Sequence, residues 1–123
     1  EDVLRQENDR LTAQWKQSYD AEEHTAPNEL LVSLLDFYKE RSDFYLALYQ
    51  AGLSGIVLQT LLEQSEITPE MPNAMAYLKS SIAYMLYGWV VEWMKRGMQE
   101  SGTELLKMFQ ASPHSEISSN RSI

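Results

Sequence analysis

A chain of 123 residues, 44% of them hydrophobic, is long enough to close one core and short enough to be a single domain. Its formal net charge of -8, from 10 basic and 18 acidic residues, argues against a surface that grips a phosphate backbone, which needs clustered Lys and Arg. The chain has no cysteine, which removes disulfides, thiolate nucleophiles and cysteine-ligated zinc and suits a reducing cytoplasm. The residues from Glu1 to Leu4 carry neither the basic nor the apolar region of an export signal, so a soluble cytoplasmic protein is expected.

Residues 1 to about 23 are rich in helix formers, with Leu4, Leu11, Trp15 and Tyr19 at spacings of seven, four and four. This reads as a thinly amphipathic surface helix rather than a coiled-coil seam, which needs apolar heptads sustained over ~3 to 4 repeats. No capping group precedes Glu1, so the segment reads as the continuation of something upstream. Pro27 breaks the pattern, and Asn28 is placed to cap a second helix with Glu29 in its first turn. That helix is expected to run unbroken to Gly52. It carries Leu30, Leu34, Phe37, Phe44 and Leu48 on one stripe and Leu31, Leu35, Tyr38, Tyr45 and Tyr49 on the next. Gly52 suits the left-handed position after a helix, with Leu53 folding back on Leu48. A third, narrower helix follows from Leu53 to Gln64, with Ile56, Val57, Thr60 and Leu61 at helical spacing. A loop with Pro69 and Pro72 then leads to Asn73 as the expected cap of a central helix.

The central stretch, Tyr77 to Gly97, organises the chain. From Ile82 to Met94 it is apolar on nearly every face, with Glu92 as its one charge. Flanked by Lys79, Lys95 and Arg96, it is too short for a membrane span of roughly 20 apolar residues. A helix apolar all round must be covered all round. The stripe of Leu78, Ile82, Leu86, Trp89 and Trp93 is read as facing the core. A smaller, flatter stripe of Ser81, Tyr84, Gly88 and Val91, joined by Leu105 and Phe109, is read as a homodimer interface in which Gly88 allows close approach. Gly97 ends the helix with Met98 reaching back to Trp93, and Ser101 with Glu104 in capping-box register starts a last helix to about Ala111. The reading is one all-α domain over 1–111 with a polar, disordered tail over 112–123.

Little here could carry catalysis. His24 and His114 have no paired-ligand spacing, and there is no Gly-rich phosphate cradle and no Gly-x-Ser-x-Gly elbow. No enzyme activity, metal or cofactor is expected. Glu92 reads either as an exposed carboxylate paired with Arg96 one turn on or as a charge facing a cavity. The aromatic residues of the two main helices read equally as core or as pocket lining. On the second reading, Phe37, Arg41, Tyr45 and Tyr49 face Met85 and Trp89 across a site for a small lipophilic or aromatic molecule, with Arg41 tilting the preference toward a neutral or anionic one.

Three stretches carry a resemblance. Glu1-Asp2-Val3-Leu4 is similar to the end of a Tyr-Phe-x-x-Lys-Glu-Asp-Leu segment, and Arg41 to Tyr45 with Leu48 resembles a helix further on. Gly88 to Gly97 followed by Ser101-Gly102-Thr103-Glu104-Leu105-Leu106 is similar to a Gly-x5-Trp-x3-Gly then Ser-Pro-Glu-Glu-Leu pattern, with Gly102 and Thr103 in place of Pro and Glu. Together these resemble the C-terminal, ligand-binding and dimerisation domain of TetR-family transcriptional repressors. The resemblance spans Glu1 to about Phe109. It implies an all-helical bundle whose last two long helices pair with those of a second subunit in a four-helix bundle, and an effector cavity between the other helices. DNA would be bound only through an N-terminal helix-turn-helix domain outside this sequence. The alternative from another class is a free-standing helical protein–protein interaction module with no link to DNA.

Overall fold

The computed structural model describes residues 2–24 and 29–111, and among them are six helices and no strand. They are α1 (Asp2–Asp20), α2 (Glu29–Glu40), α3 (Ser42–Gln50), α4 (Gly55–Gln64), α5 (Asn73–Lys95) and α6 (Gly102–Gln110). The protein is all-α. The break expected at Pro27, the Asn28 cap and the tail over 112–123 lie outside the described residues. Among the described residues no helix is long and apolar enough to cross a membrane.

The helix expected to run unbroken to Gly52 is two helices. Arg41, with φ -113° and ψ 36°, leaves the helical region and separates α2 from α3. No Gly or Pro marks the break. Ser42 and Asp43, residue types that favour helix starts, are its only local signal, and the seven-residue step from Phe37 to Phe44 conceals it. The central helix starts at Asn73 itself, with Pro72 in the capping position, φ -58° and ψ 144°, so Asn73 is not the cap. Proline there sets an extended residue ahead of the first turn and has no N–H to leave unpaired.

Both glycine stops form as their sequences dictate. Gly52 takes φ 78°, its N–H bonds the Tyr49 carbonyl at 2.9 Å, and the Leu53 N–H returns to the Leu48 carbonyl at 3.1 Å. Gly97 takes φ 90°, with its N–H on Met94 at 3.0 Å and the Met98 N–H on Trp93 at 2.7 Å. These paired bonds satisfy carbonyls that a helix end leaves open and turn the chain sharply. At α6 the Ser101 hydroxyl accepts from the Glu104 N–H at 3.1 Å and the Glu104 carboxylate accepts from the Ser101 N–H at 2.8 Å. That backbone N–H holds the Glu104 carboxyl below its ordinary value.

The core gathers Leu34, Leu35, Phe37 and Tyr38 of α2, Tyr45 and Leu48 of α3, and Ile56, Val57 and Leu61 of α4. From the other side come Ala83, Leu86, Val90, Trp93 and Met94 of α5, then Met98, Leu105, Leu106 and Phe109. α6 lies closest to α2, while α5 packs on α4 and α3, and α1 on α2 and α4. The segment between α5 and α6 is pinned from both sides. Trp93 Nε1–H donates to the Glu100 carbonyl at 3.1 Å, and the Lys39 ammonium donates to the Met98 carbonyl and, at 3.3 Å, to that of Gln99. Trp93, Leu86 and Met98 are buried as expected, but Trp89 is half-buried and Ile82 is exposed. The inward line of α5 runs through Ala83, Leu86, Val90 and Trp93, one step round the helix from the expected stripe.

At Gly102 a Cβ would stand 2.5 Å from the Asp36 backbone nitrogen and 2.7 Å from the Leu35 carbonyl carbon, so only glycine lets α6 sit this close to α2. Two of the obstructing atoms are backbone, which cannot rotate away. Gly102→Ala should therefore lower stability by ~1–3 kcal/mol as an overpacked contact, and Trp93→Ala by ~3–5 kcal/mol as a lost buried indole. Urea midpoints of the two variants check both values, and an unchanged midpoint for Gly102→Ala would mean that α6 is not seated on α2 in this way.

Candidate functional site

Three features outside ordinary core packing could recognise another molecule. The first is a groove of about 1010 Å³ along α1 and α2, floored by Trp15, Tyr19 and Phe37. Trp15 Nε1–H donates to the Ser33 hydroxyl at 2.8 Å, and its ring lies 5.9 Å from Tyr19 and 6.1 Å from Phe37. The Arg41 guanidinium sits 4.4 Å from the centre of the Phe37 ring, within cation–π range, and 3.6 Å from the Glu40 carboxylate. Glu22, Glu23, Glu29, Asp36 and Glu40 also line this groove, so Arg41 and His24 are outnumbered there by carboxylates.

The second is a polar centre inside the apolar core. Asn8, the one buried polar residue of α1, accepts a hydrogen bond from the Tyr45 hydroxyl at 2.7 Å. Tyr38 packs edge-on against Tyr45 with ring centres 4.6 Å apart, and its fully buried hydroxyl has no hydrogen-bond partner. The Thr60 hydroxyl is near enough to favour the ionised phenol slightly, yet stands outside bonding geometry and bonds the Ile56 carbonyl at 3.4 Å. Burial pushes both phenols up: Tyr38 well above its ordinary value, with Tyr45 adding to the rise, and Tyr45 strongly as well. Both hydroxyls therefore stay protonated at neutral pH.

The third is the outer face of α5. Tyr77 is 70% exposed and Leu78 57%, and Ile82, Tyr84 and Met85 follow them into solvent with Met108 of α6. Beside them a shallow pocket of about 600 Å³ lies among Gly88, Trp89, Glu92, Leu105 and Met108. Glu92 pairs with Arg96 one turn on at 2.9 Å, the exposed arrangement of its two readings.

The expected ligand residues fall in different places. Phe37 and Arg41 line the α1–α2 groove, Tyr45 is sealed in the core against Asn8, and Tyr49 is half-buried against it. Met85 and Trp89 belong to the outer side of α5, with Trp89 packed edge-on against Phe109 at 5.7 Å. The six are not brought to one pocket, because α5 turns Ala83, Leu86 and Val90 inward in place of Met85 and Trp89. Of the expected interface residues, Ser81, Tyr84 and Gly88 are exposed and Val91 is half-buried, whereas Leu105 and Phe109 are buried. Leu105 and Phe109 face inward with Leu106 as α6 settles on α2, leaving Met108 as the exposed apolar residue of that helix.

Asn8 and the Tyr19, His24 and Glu29 group were not legible as a site. A signal for Asn8 existed, since it fills the gap of seven between Leu4 and Leu11 and so lies on the apolar side of α1. Among the described residues no group of three or more His, Asp or Glu could hold a metal ion.

The two tyrosines should respond in opposite directions. Tyr45→Phe leaves the buried Asn8 amide without its donor and should cost ~1–3 kcal/mol, whereas Tyr38→Phe removes an unpaired hydroxyl and should leave stability equal or higher. Thermal midpoints of the two variants, compared with the parent, check the difference in sign.

With this geometry in view, the chain matches no protein-family model, no curated protein and no solved structure.

Proposed function

We propose that the chain is the homodimerising, effector-sensing domain of a transcriptional repressor of the TetR type, which would bind DNA through a helix-turn-helix domain outside this sequence. The observation that carries the reading is the outer face of α5. Tyr77, Leu78, Ser81, Ile82, Tyr84, Met85 and Gly88 lie on it, and the first charge along that face is Glu92. A contiguous apolar face of this kind on a folded chain supports reading it as a surface that another molecule covers, here a second copy of the chain. Gly88 supports a close two-fold contact, because a Cβ there would meet nothing within 4 Å in the chain's own fold. Gly102, where the resembled pattern has Pro, has a local reason in its approach to α2, so that departure does not count against the reading.

The effector would enter along the α1–α2 groove, on its aromatic floor beside Phe37 and Arg41. Its carboxylates shift the preference away from an anion and toward a neutral or cationic aromatic molecule. A rigid α1, tied to α2 through Trp15 and to α4 by the Arg5 to Gln59 hydrogen bond at 3.0 Å, would carry movement of the groove wall toward whatever precedes it.

Sedimentation tests the first half of the reading. The parent should be a dimer at micromolar concentration, burying well over ~1,000 Å² in total, while Met85→Glu and Gly88→Leu should be helical monomers that still unfold cooperatively. A parent that stays monomeric at these concentrations sinks the dimer. For the second half, a thermal-shift screen of aromatic amines and neutral aromatics should find compounds that stabilise the chain by ~2.7 kcal/mol at a hundredfold excess over Kd. Phe37→Ala should weaken that shift and leave the dimer intact; a hit that binds equally well to this variant puts the effector elsewhere.

A further inference from the structure

His24 stands between the last turn of α1 and the first residue of α2, and both of its ring nitrogens face oxygen acceptors. Nε2 lies 2.6 Å from the Tyr19 backbone carbonyl, and Nδ1 contacts the Glu29 carboxylate. The Tyr19 ring stacks on the imidazole, with centres 3.6 Å apart and planes 8° from parallel. A neutral imidazole has one N–H, so it can donate to the carbonyl or to the carboxylate, and its other nitrogen then turns a lone pair on an oxygen that has no proton to give. Only the imidazolium satisfies both contacts.

We infer that His24 is a proton-operated clasp: as imidazolium it ties the C-terminal end of α1 to the N-terminal end of α2, and on losing its proton it releases one of the two. The neutral ring that keeps Nε2–H on Tyr19 sets its Nδ1 lone pair against the Glu29 carboxylate, and repulsion opens that side. Because Tyr19, His24 and Glu29 form one end of the α1–α2 groove, the opening widens the groove there. The clasp stands on this geometry whatever molecule the groove binds.

The surrounding charges act in the same direction. Glu22 of the segment after α1 and Glu29 of α2 both favour the charged ring. Lys16, the nearest cation on α1, is engaged with Asp20 at 3.3 Å and lies 5.8 Å from the centre of the Tyr19 ring. Further along the groove the facing groups are Glu23, Asp36, Glu40 and Arg41, three acids to one base. The Tyr19 carbonyl is the largest influence holding His24 above its ordinary value of 6.5, with Glu29 adding to it and burial opposing it. A folded-state value raised in this way gives stabilisation that is fully present below 6.5 and is lost as pH rises through the folded value. The clasp is closed below 6.5 and opens as pH rises through the folded value.

Proton NMR of the imidazole tests this on the full chain, with His114→Gln leaving His24 as the one histidine resonance. His24 should titrate at a higher pH in the folded chain than in the same chain unfolded in urea, and Glu29→Gln should bring it back toward the unfolded value. The parent's thermal midpoint should fall as pH rises from below 6.5 through the folded value of His24. The fall should be smaller in Glu29→Gln, whose amide can pair with either form of the ring. A folded His24 that titrates at or below its unfolded value overturns the clasp, as does a pH profile of the parent parallel to that of His24→Gln. Should His24→Gln fail to fold, the titrations of the parent and of Glu29→Gln decide the matter.

Discussion

Between Gly102 and the backbone of Leu35 and Asp36 there is no room for a methyl group, and this approach fixes where α6 can lie. The end of α5 is fixed with it. Five residues before Gly102 the left-handed Gly97 turns the chain, and the Trp93 indole, the Lys39 ammonium and the paired bonds from Gly97 and Met98 hold the segment between. With Trp93 and Met98 buried, the Trp93 indole on the Glu100 carbonyl and the Met98 carbonyl held by Lys39 of α2, the end of α5 has little rotational freedom. Ala83, Leu86 and Val90 must face α3 and α4, and Tyr77, Leu78, Tyr84 and Met85 must face out. The exposed apolar face is thus the side of α5 turned away from α3 and α4.

At the centre of the bundle the chain departs from a purely apolar solution. Asn8, Tyr45, Tyr38 and Thr60 bring four polar side chains together from α1, α3, α2 and α4, and one hydroxyl among them goes without a partner. Buried polar groups of this kind are costly when unpaired and specific when paired. The Asn8–Tyr45 bond ties α1 to α3 at one register, since a slip of α1 by one residue would bring the charged Glu7 or Asp9 into the buried position that the neutral amide fills. The unpaired Tyr38 hydroxyl is the weak point of that arrangement.

The α1–α2 groove and the apolar outer face lie on different elements, and this separation has mechanical meaning. The groove and its histidine belong to α1 and α2, whereas the apolar outer face belongs to α5. α3 and α4 lie between them, α4 contacting α1 and α5, and α3 contacting α2 and α5. A change at the Tyr19, His24 and Glu29 end would be felt first by α1, which is otherwise held by the packing of Leu4, Leu11 and Trp15 and by the hydrogen bonds of the Trp15 indole, the Asn8 amide and the exposed Arg5. The α2–α6 side, locked by close backbone approach, would stay where it is.

Local chemistry determined the helix ends. Gly52 and Gly97 each had to adopt a left-handed conformation, and Ser101 with Glu104 could cap only one way, so these boundaries followed from short-range sterics and hydrogen bonding that need nothing beyond neighbouring residues. The all-helical class and the burial of Trp93, Met98 and Leu86 were legible for the same reason, from spacing. What spacing could not decide was the rotation of α5. A helix apolar on nearly every side offers several stripes of equal merit, and the choice between Trp89 with Ile82 and Ala83 with Val90 was made by packing against α3 and α4, which no local pattern encodes. The break at Arg41 was likewise a tertiary decision, since Ser42 and Asp43 permit a new start but do not require one. The His24 clasp was invisible because its partners, Tyr19 and Glu29, belong to two helices whose relative placement no local pattern encodes.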